Sequence, residues 1–254
     1  MVKKNVRKTV YKLIVIITHI ISAFYKLKNF KKAKVFIYTD SRGYEITNLF
    51  NRRNPFSSYV GYFIKNYNVD YFICPLEHTT TLDFLDLYNK HDRYDHIILH
   101  TGVVDFSPRP ISKLNLLIHN KKRIYYKFFQ KHSAEKHLIN HYDEKYKNDE
   151  YTNSLYSLRM AKDRILPQLH HMENLIWIGC NRVIRGWDGN YPGERPINMD
   201  VIQHYNAQFL KNIDNTVDIS KWTNDEIMKY TCDNIHLTKA GMDYIKKEIV
   251  KIIK

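Results

Sequence analysis

Residues 34–43 have the sequence KVFIYTDSRG, an apolar run of strand-forming residues that ends in a short polar turn. Every position from Val35 to Tyr38 is apolar, which is typical of a strand covered on both faces in a parallel sheet. Ligands of such proteins bind beyond the carboxyl ends of the strands. The sequence therefore predicts that Ser41, in the turn directly after this strand, has its hydroxyl at the ligand-binding edge.

Similar apolar runs recur along the chain and alternate with helical patterns. The strand candidates are 34–39, 69–76, 96–101, 174–180 and 216–220, and the helix candidates are 57–66, 81–89, 200–213 and 238–253. This alternation predicts one α/β domain over residues 34–254, a three-layer α/β/α arrangement with a doubly wound, five-stranded parallel sheet. With 44% hydrophobic residues among 254, the chain can bury the core that such a domain needs.

Residues 111–172 interrupt this alternation, because they are too long for an ordinary crossover connection. Their density of Tyr, Lys and His predicts a helical insertion, which could cap the active-site edge. Two interpretations of its basic and aromatic residues stay open: contacts to a sugar or phosphate, or a solvated helix face with an aromatic packing stripe. The residues concerned are Lys121, Lys122, Arg123, Tyr125, Tyr126 and Lys127.

Residues 1–33 are predicted to form a basic, apolar leader helix. Residues 1–34 hold ten Lys or Arg and no Asp or Glu, so they carry +10 of the net charge of +14. The apolar run 13–24 would be about 18 Å long as a helix, against about 30 Å of hydrocarbon in a bilayer. A helix lying on an anionic membrane surface fits this pattern. A spanning anchor and a helix packed on the domain are the alternatives.

Two kinds of partner are not expected. Nucleic-acid binding, which a high net charge can indicate, is disfavoured because the charge is concentrated around an apolar run in the leader. A metal ion is disfavoured because the spacing of His78, His100, His170 and His171 matches no known ligand set.

The three cysteines, Cys74, Cys180 and Cys232, are an odd number with wide spacing. This pattern favours reduced thiols over a disulfide framework. We therefore expect a cytoplasmic protein that is associated through its leader with the inner face of the cell membrane.

A second polar cluster, Asp233-Asn234-Ile235-His236, lies just before the last predicted helix. A histidine three residues after an aspartate can reach a serine while the carboxylate holds its other ring nitrogen. A serine hydroxyl needs such a base to become nucleophilic, and the base needs an orienting group to keep the right tautomer. Ser41, Asp233 and His236 are therefore catalytic candidates, although each segment taken alone also suits an ordinary structural role.

Together these segments resemble the SGNH/GDSL hydrolase family. Residues 39–41 match its first block, with threonine for the opening glycine, and 102–105 fall on its third. Residues 233–236, followed by Leu-Thr-Lys-Ala-Gly, match its last block. The resemblance covers residues 34–254 and implies a flavodoxin-like fold that hydrolyses or transfers acyl groups on an ester. It implies Ser41 as nucleophile, His236 as general base and then acid, and Asp233 as orienting carboxylate, without metal or organic cofactor.

The resemblance is incomplete at the groups that stabilise an oxyanion. Val104 stands where the family has an asparagine amide, and losing one such donor costs about 3 kcal/mol. The predicted oxyanion donors are Ser41, Gly102 and Asn181, with an ordinary turn role as the alternative for Asn181. The second-block glycine has no clear counterpart near residues 78–80, where a backbone N–H could still serve.

Residues 102–110 also resemble a variant of the family from bacterial surface-polysaccharide gene clusters, in which Gly-x-x-Asp is followed by a short segment ending in Pro-Arg. This implies Arg109 at the active-site rim, paired with an acidic sugar or a phosphate. Arg42, beside the nucleophile, is a second such candidate. Surface or salt-bridge roles are the alternative for both arginines. Asp105 is a further substrate-binding candidate, with hydrogen bonds that tie loops together as its favoured role.

The expected function is a serine esterase or O-acyltransferase. Its expected substrate is an acyl, in particular acetyl, ester of a bacterial surface polysaccharide or a lipid-linked carbohydrate precursor. The alternative is a non-catalytic protein of the same fold that binds polysaccharide or a biosynthetic partner. Val104 and the unclear second block support this alternative, whereas the joint presence of Ser41, Asp233 and His236 argues against it.

Overall fold

The computed structural model describes residues 2–47, 51, 54–76, 78–88, 93–128, 142–146, 149–191, 193 and 195–253. Strands within these ranges are β1 (Lys34–Thr39), β2 (Asn68–Ile73), β3 (His96–His100), β4 (Arg109–Pro110), β5 (Tyr142–Tyr146), β6 (Glu150–Asn153), β7 (Leu175–Ile178) and β8 (Asn215–Val217). Five of them form one sheet in the order β2-β1-β3-β7-β8, with every neighbouring pair parallel. Counting only these five strands, the order is 2-1-3-4-5, the flavodoxin-like form of the doubly wound fold. The predicted fold class is confirmed.

Helices cover both faces of this sheet. They are α1 (Val2–Lys28), α2 (Val60–Asn66), α3 (Thr81–Tyr88), α4 (Val103–Phe106), α5 (Ile111–Asn120), α6 (Lys122–Phe128), α7 (Leu158–Met160, continued by a π-helical turn Ala161–Ile165 and by Leu166–His170), α8 (Val201–Asn212), α9 (Asn224–Tyr230) and α10 (Lys239–Ile253). Apolar residues of α2, α9 and α10 form the core on one face. Those of α3, α5, α7 and α8 form the core on the other.

The first strand shows why two covering layers are needed. Val35 and Ile37 belong to the core on the α2 and α10 side, whereas Phe36 and Tyr38 belong to the opposite core. All four side chains are buried. Because successive side chains of a strand point to opposite faces, a strand that is apolar at every position requires helices on both sides.

The strand order fixes where a ligand can bind. The chain leaves β1 toward β2 on one side and then crosses to β3 on the other side of β1. The carboxyl ends of β1 and β3 therefore flank the topological switch point, where ligands of this fold class bind. Residues 40–43 follow β1 and residues 101–110 follow β3, so both segments lie at this crevice.

The insertion at 111–172 contains strands as well as helices. β6 pairs antiparallel with both β4 and β5 to form a small second sheet. These short strands are rich in charged residues and lack the apolar alternation that identifies a strand in sequence. Tyr125 is buried in the core, as the packing interpretation predicts. Lys121 forms a buried ion pair with Asp83 at 2.5 Å, so it is not part of a solvated helix face. Residues 129–141 and the side chain of Lys127 lie outside the described part.

The leader forms α1 and packs against α2 and β2 through its C-terminal half. Lys26 Nζ lies 2.5 Å from Asp70 Oδ1, and Asn29 Nδ2 donates to the carbonyl of Ile64 at 3.1 Å. Within the residues that the structure describes, no helix combines the length and the apolar character needed to cross a bilayer.

Candidate active site

Ser41, His236 and Asp233 meet at the carboxyl edge of the sheet. Ser41 begins a 3₁₀ turn, Ser41–Gly43, directly after β1, and the other two lie in the loop between α9 and α10. Ser41 Oγ is 2.9 Å from His236 Nε2, and His236 Nδ1 is 2.8 Å from Asp233 Oδ2. The three side chains therefore form a continuous hydrogen-bonded chain.

The tight turn that presents Ser41 depends on its neighbours. Asp40 caps the turn, because its Oδ1 accepts the backbone N–H of Arg42 at 2.9 Å. Gly43 is required, since a Cβ there would lie 1.9 Å from Thr39 Oγ1. Thr39 itself is buried and donates its hydroxyl to the carbonyl of Asp40 at 3.0 Å. The turn thus accommodates threonine where the resembled family has glycine.

Arg42 does not contact the cleft, which corrects its prediction as a substrate-binding residue. Its side chain is fully buried, with Nη2 2.9 Å from Asp40 Oδ2. Its Nη1 donates to the carbonyl of Gly179, just after β7, at 3.0 Å. Neighbouring side chains of a tight turn point in different directions, so proximity to Ser41 in sequence does not bring Arg42 to the substrate. The buried guanidinium instead ties the nucleophile turn to an adjacent strand end.

The loop fixes the imidazole through backbone and side-chain bonds. Asp233 Oδ1 accepts the backbone N–H groups of Ile235 at 3.1 Å and His236 at 2.7 Å, which leaves Oδ2 for the ring. Burial acts to raise the pKa of Asp233, but the hydrogen bonds and charge of His236, with these backbone bonds, hold that pKa below its ordinary value. An ionised carboxylate can only accept, so His236 Nδ1 donates to it. In the neutral imidazole, Nε2 then carries no proton and can accept the hydroxyl proton of Ser41.

Arg195 is a site residue that the sequence did not indicate. Its Nη2 donates to the backbone carbonyl of Asp233 and lies 3.7 Å from Asp233 Oδ2. Its guanidinium stacks on Tyr191, 3.9 Å from the ring centroid, and both residues line the cleft. Arg195 belongs to no recognisable motif and lies in a loop far from Asp233 in sequence, so only the tertiary structure reveals the contact. It acts as a positioning residue for the carboxylate.

Of the three predicted oxyanion donors, Asn181 is engaged in other hydrogen bonds, whereas Ser41 and Gly102 lie where a ligand can bind. The buried side chain of Asn181 donates to the carbonyls of Arg182 and Asn234, each at 2.8 Å. Both amide hydrogens are thus engaged in the loop, which corrects the prediction of Asn181 as an oxyanion donor. Ser41 and Gly102 lie at the switch point, and Gly102, with φ of 128°, begins α4 without a side-chain cap.

Asp105 is buried and ties three segments together, as its favoured interpretation predicts. Its Oδ1 accepts the backbone N–H of Thr81 at 2.9 Å and the hydroxyl of Tyr156 at 3.0 Å. These bonds join the segment after β3 to α3 and to the insertion, so Asp105 is not a substrate contact. Burial raises its pKa to about 7.

Asp105→Asn is expected to change how stability depends on pH. The folded carboxyl keeps its proton up to about pH 7, whereas the unfolded one ionises near pH 4, so wild-type stability falls as pH rises between these values. An amide does not ionise. Between pH 5 and pH 8 the free energy of unfolding should therefore fall by about 1–3 kcal/mol more in the wild type than in the variant. Urea unfolding at both pH values measures this, and the exposed Asp214→Asn serves as control. Equal pH dependence in wild type and Asp105→Asn would contradict the assignment.

Arg109 is the predicted substrate-binding residue that does line the cleft. Its backbone pairs with Asn153 in the small sheet, which fixes its position at the end of the segment after β3. Its Nε is buried and has no hydrogen-bond partner among the described residues. Burial lowers the pKa of Arg109, an effect that the charge of Asp105 opposes. A partly desolvated guanidinium in the wall of a cleft favours an anionic group bound beside it, because the anion compensates the buried charge.

The cleft around Ser41 and His236 has a volume of about 1000 Å³. Its walls are mixed in character and include Tyr44, Ile46, Cys74, Val104, Pro108 and Met199. All three cysteines, Cys74 among them, are thiols and not members of a disulfide. A cleft of this size lies at the upper end of the range for small-molecule sites and accommodates a substrate much larger than a simple acetate ester.

No family model matches the sequence. A search of curated proteins also gives no match. Among solved structures, the chain is similar to a lipase/acylhydrolase from Enterococcus faecalis, with 16% identity, a TM-score of 0.48, and coverage of 87% of this chain and 95% of that one. It is also similar to a phospholipase A1 from Streptomyces albidoflavus NA297, with 12% identity, a TM-score of 0.45, and coverage of 87% and 99%. Similarity this low assigns neither a reaction nor a substrate.

Proposed function

We propose that the protein is a serine ester hydrolase or O-acyltransferase. The observation that carries the proposal is the hydrogen-bonded chain from Ser41 through His236 to Asp233, in a cleft at the switch point of the sheet. A nucleophile, a base and an orienting carboxylate each lie within hydrogen-bond distance of the next. Acyl transfer through a serine, histidine and aspartate triad requires this geometry.

In the proposed reaction, Ser41 Oγ attacks the ester carbonyl carbon while its proton passes to His236 Nε2. Asp233 holds the Nδ1–H and stabilises the imidazolium that forms. Collapse of the tetrahedral intermediate breaks the bond to the alcohol, which leaves with the proton from His236, and the acyl group stays on Ser41. Water or a sugar hydroxyl then attacks the acyl-enzyme, with His236 again as base. Hydrolysis and transfer thus share every step except the identity of the acceptor.

The proposed oxyanion donors are backbone N–H groups. The N–H groups of Ser41 and Gly102 lie just after β1 and β3. The N–H of Thr79 is a third candidate, because Thr79 lines the cleft in the segment where the resembled family has its second-block glycine. Val104 also lines the cleft, where the resembled family has an amide. Because one side-chain donor contributes about a hundredfold to a thousandfold in rate, we expect slow turnover of simple esters.

The proposed substrate is an acyl ester, in particular an acetyl ester, of a carbohydrate that carries an acidic group. The cationic side chain of Arg109 in the cleft wall supports the acidic group, and the size of the cleft supports an oligosaccharide or a lipid-linked sugar. A bacterial surface polysaccharide or its precursor has this chemistry.

Arg109→Gln is expected to raise KM for an acetylated uronic-acid oligosaccharide about tenfold to a hundredfold, because a charge-assisted hydrogen bond is lost. For neutral p-nitrophenyl acetate, KM and kcat should change by less than about threefold. Steady-state kinetics on both substrates checks this. Arg159→Gln, whose side chain is 83% exposed, is the matched control. An equal loss on both substrates would show that Arg109 is structural.

Cleavage of p-nitrophenyl acetate by the full chain tests the proposed chemistry. We expect the wild type to cleave this ester faster than a Ser41→Ala sample prepared in parallel. If transfer competes with hydrolysis, adding a sugar acceptor should also give the acetylated sugar. Failure of the folded protein to cleave this ester and acetylated polysaccharides would favour the non-catalytic binding protein.

A further inference from the structure

The leader helix α1 is amphipathic in the reverse sense to an ordinary surface helix. The face that packs on the domain carries Thr18 and Ser22, which are 6% and 8% exposed, beside the half-buried Tyr25, and Asn29, 1% exposed, follows directly after the helix. The outward face carries a row of large apolar side chains. A helix on a soluble domain normally buries its apolar face and exposes its polar one.

Specific hydrogen bonds hold the polar face of α1 in place. Ser22 Oγ lies 3.1 Å from the hydroxyl of Tyr71 in β2 and donates to the carbonyl of Thr18 at 2.7 Å. Asn29 Nδ2 reaches three backbone carbonyls around the end of α2, of which that of Ile64 is 3.1 Å away. Rotation of the helix to bury its apolar face would break the contacts of Ser22 with Tyr71 and of Asn29 with these carbonyls. The outward direction of the apolar face is therefore set by the fold.

The apolar side chains form a continuous row, called the α1 stripe below. At 100° per residue its members fall within roughly 140° of the helix circumference, and they extend over about 21 Å of its length. Their exposure runs from 39% to 74%. The stripe consists of Leu13, Ile16, Ile17, Ile20, Ile21, Phe24 and Leu27.

The positive charge of residues 1–34 indicates that the partner of the stripe is anionic. Residues 1–34 contain ten Lys or Arg and no acidic residue, and these cations lie on both sides of the stripe in sequence. Lys28, Lys31 and Lys32 are exposed at the C-terminal side. A second copy of this chain would bring two strongly cationic segments together, which electrostatic repulsion opposes. An anionic bilayer supplies both the negative charge and the hydrocarbon that such a stripe requires.

We propose that α1 docks the protein on an anionic membrane surface, with the stripe inserted among the acyl chains and the flanking cations at the headgroups. The contacts of Lys26 with Asp70 and of Ser22 with Tyr71 show that α1 runs antiparallel to β2. Its N-terminal end therefore points toward the carboxyl edge of the sheet, where Ser41 lies. Because the stripe runs along the axis of α1, the docked membrane would lie alongside the domain, parallel to the strands, with the N-terminal end of α1 nearest the carboxyl edge. This surface is independent of the proposed ester chemistry.

Cosedimentation of the full chain with vesicles tests the proposal. We expect at least tenfold tighter binding to vesicles of phosphatidylcholine with 30% phosphatidylglycerol than to phosphatidylcholine alone, and weaker binding at 500 mM than at 100 mM NaCl. The triple variant Ile16→Ser, Ile20→Ser and Phe24→Ser should bind the anionic vesicles at least tenfold more weakly. Because all three side chains point to solvent, its thermal unfolding and ester cleavage should match the wild type.

The matched control replaces three exposed apolar side chains elsewhere by serine, at Leu76, Leu116 and Met228. This variant should bind vesicles like the wild type. The proposal would be overturned if the wild-type protein did not bind anionic vesicles, or if the stripe variant bound them as tightly as the control variant does. A stable dimer in light scattering that the stripe variant dissociates, without vesicle binding, would also overturn it and assign the stripe to a second copy.

Discussion

Replacing Ser41 by alanine is expected to lower kcat for ester cleavage by at least about 10⁴-fold, because the Ser41 oxygen is the atom proposed to bond to the acyl group. The Ser41 hydroxyl is hydrogen-bonded to His236, at the mouth of a cleft rather than in the core, so its removal should leave the fold unchanged. Steady-state kinetics and thermal unfolding of the same samples measure the two effects. KM should change little, since the hydroxyl contributes to the reaction more than to binding.

Ser107→Ala is the matched control for this variant. Ser107 lines the same cleft, but its hydroxyl donates to the carbonyl of Val103, one helical turn away. We expect its kcat to stay within about threefold of the wild type, the effect of one local hydrogen bond. A Ser41→Ala enzyme that keeps more than about a tenth of its activity would show that Ser41 is not the nucleophile.

Asp233→Asn is expected to lower kcat by about 10⁴-fold while the protein stays folded. The asparagine oxygen can still accept the backbone N–H groups of Ile235 and His236, so the loop geometry is kept. The amide nitrogen, however, would face His236 Nδ1 as a donor and would force the proton onto Nε2. His236 could then no longer accept the proton of Ser41, and the nucleophile would lose its base.

Two comparisons make this prediction specific. Asp188→Asn removes the other carboxylate near Arg195, 3.9 Å from its Nε, and should leave kcat within about threefold of the wild type. If Asp188→Asn were as damaging as Asp233→Asn, the effect would come from a disturbed Arg195 and not from the tautomer of His236. Rescue of Asp233→Asn at high pH, where another base can take the proton, would agree with a tautomer defect.

The sheet could be predicted from sequence because its signal is local. Residues 35–38 are apolar at every position, a pattern typical of a strand whose two faces are both covered. β1 matches the predicted boundaries, and the other four strands of the sheet lie within one residue of, or inside, the predicted segments. The small sheet of β4, β5 and β6 was not predicted, because its strands are short and contain charged and tyrosine residues in place of alternating apolar and polar ones.

The candidate site was predictable only where a short motif carries it. Asp233 and His236 are three residues apart, and a turn of this length brings the Asp233 carboxylate to the His236 imidazole. Arg195 reaches Asp233 across 38 residues of chain, and no local pattern encodes such a contact. Arg42 and Asn181 show the converse, since each lies just after a strand of the sheet in sequence but does not face the cleft. Arg42 bonds to Asp40 and to a backbone carbonyl, and Asn181 donates to backbone carbonyls. Where a polar side chain points is decided by its tertiary partners.

Labelling of the purified protein with a fluorophosphonate, with the site mapped by mass spectrometry, tests most directly whether Ser41 is an activated nucleophile. The hydrogen-bonded chain predicts one label, on Ser41, that is absent from Ser41→Ala and strongly slowed in His236→Ala. Phenylmethylsulfonyl fluoride should compete for the same serine. Folded protein that takes up no label, or takes it up on another residue, would contradict the assignment of Ser41, His236 and Asp233 as a catalytic unit.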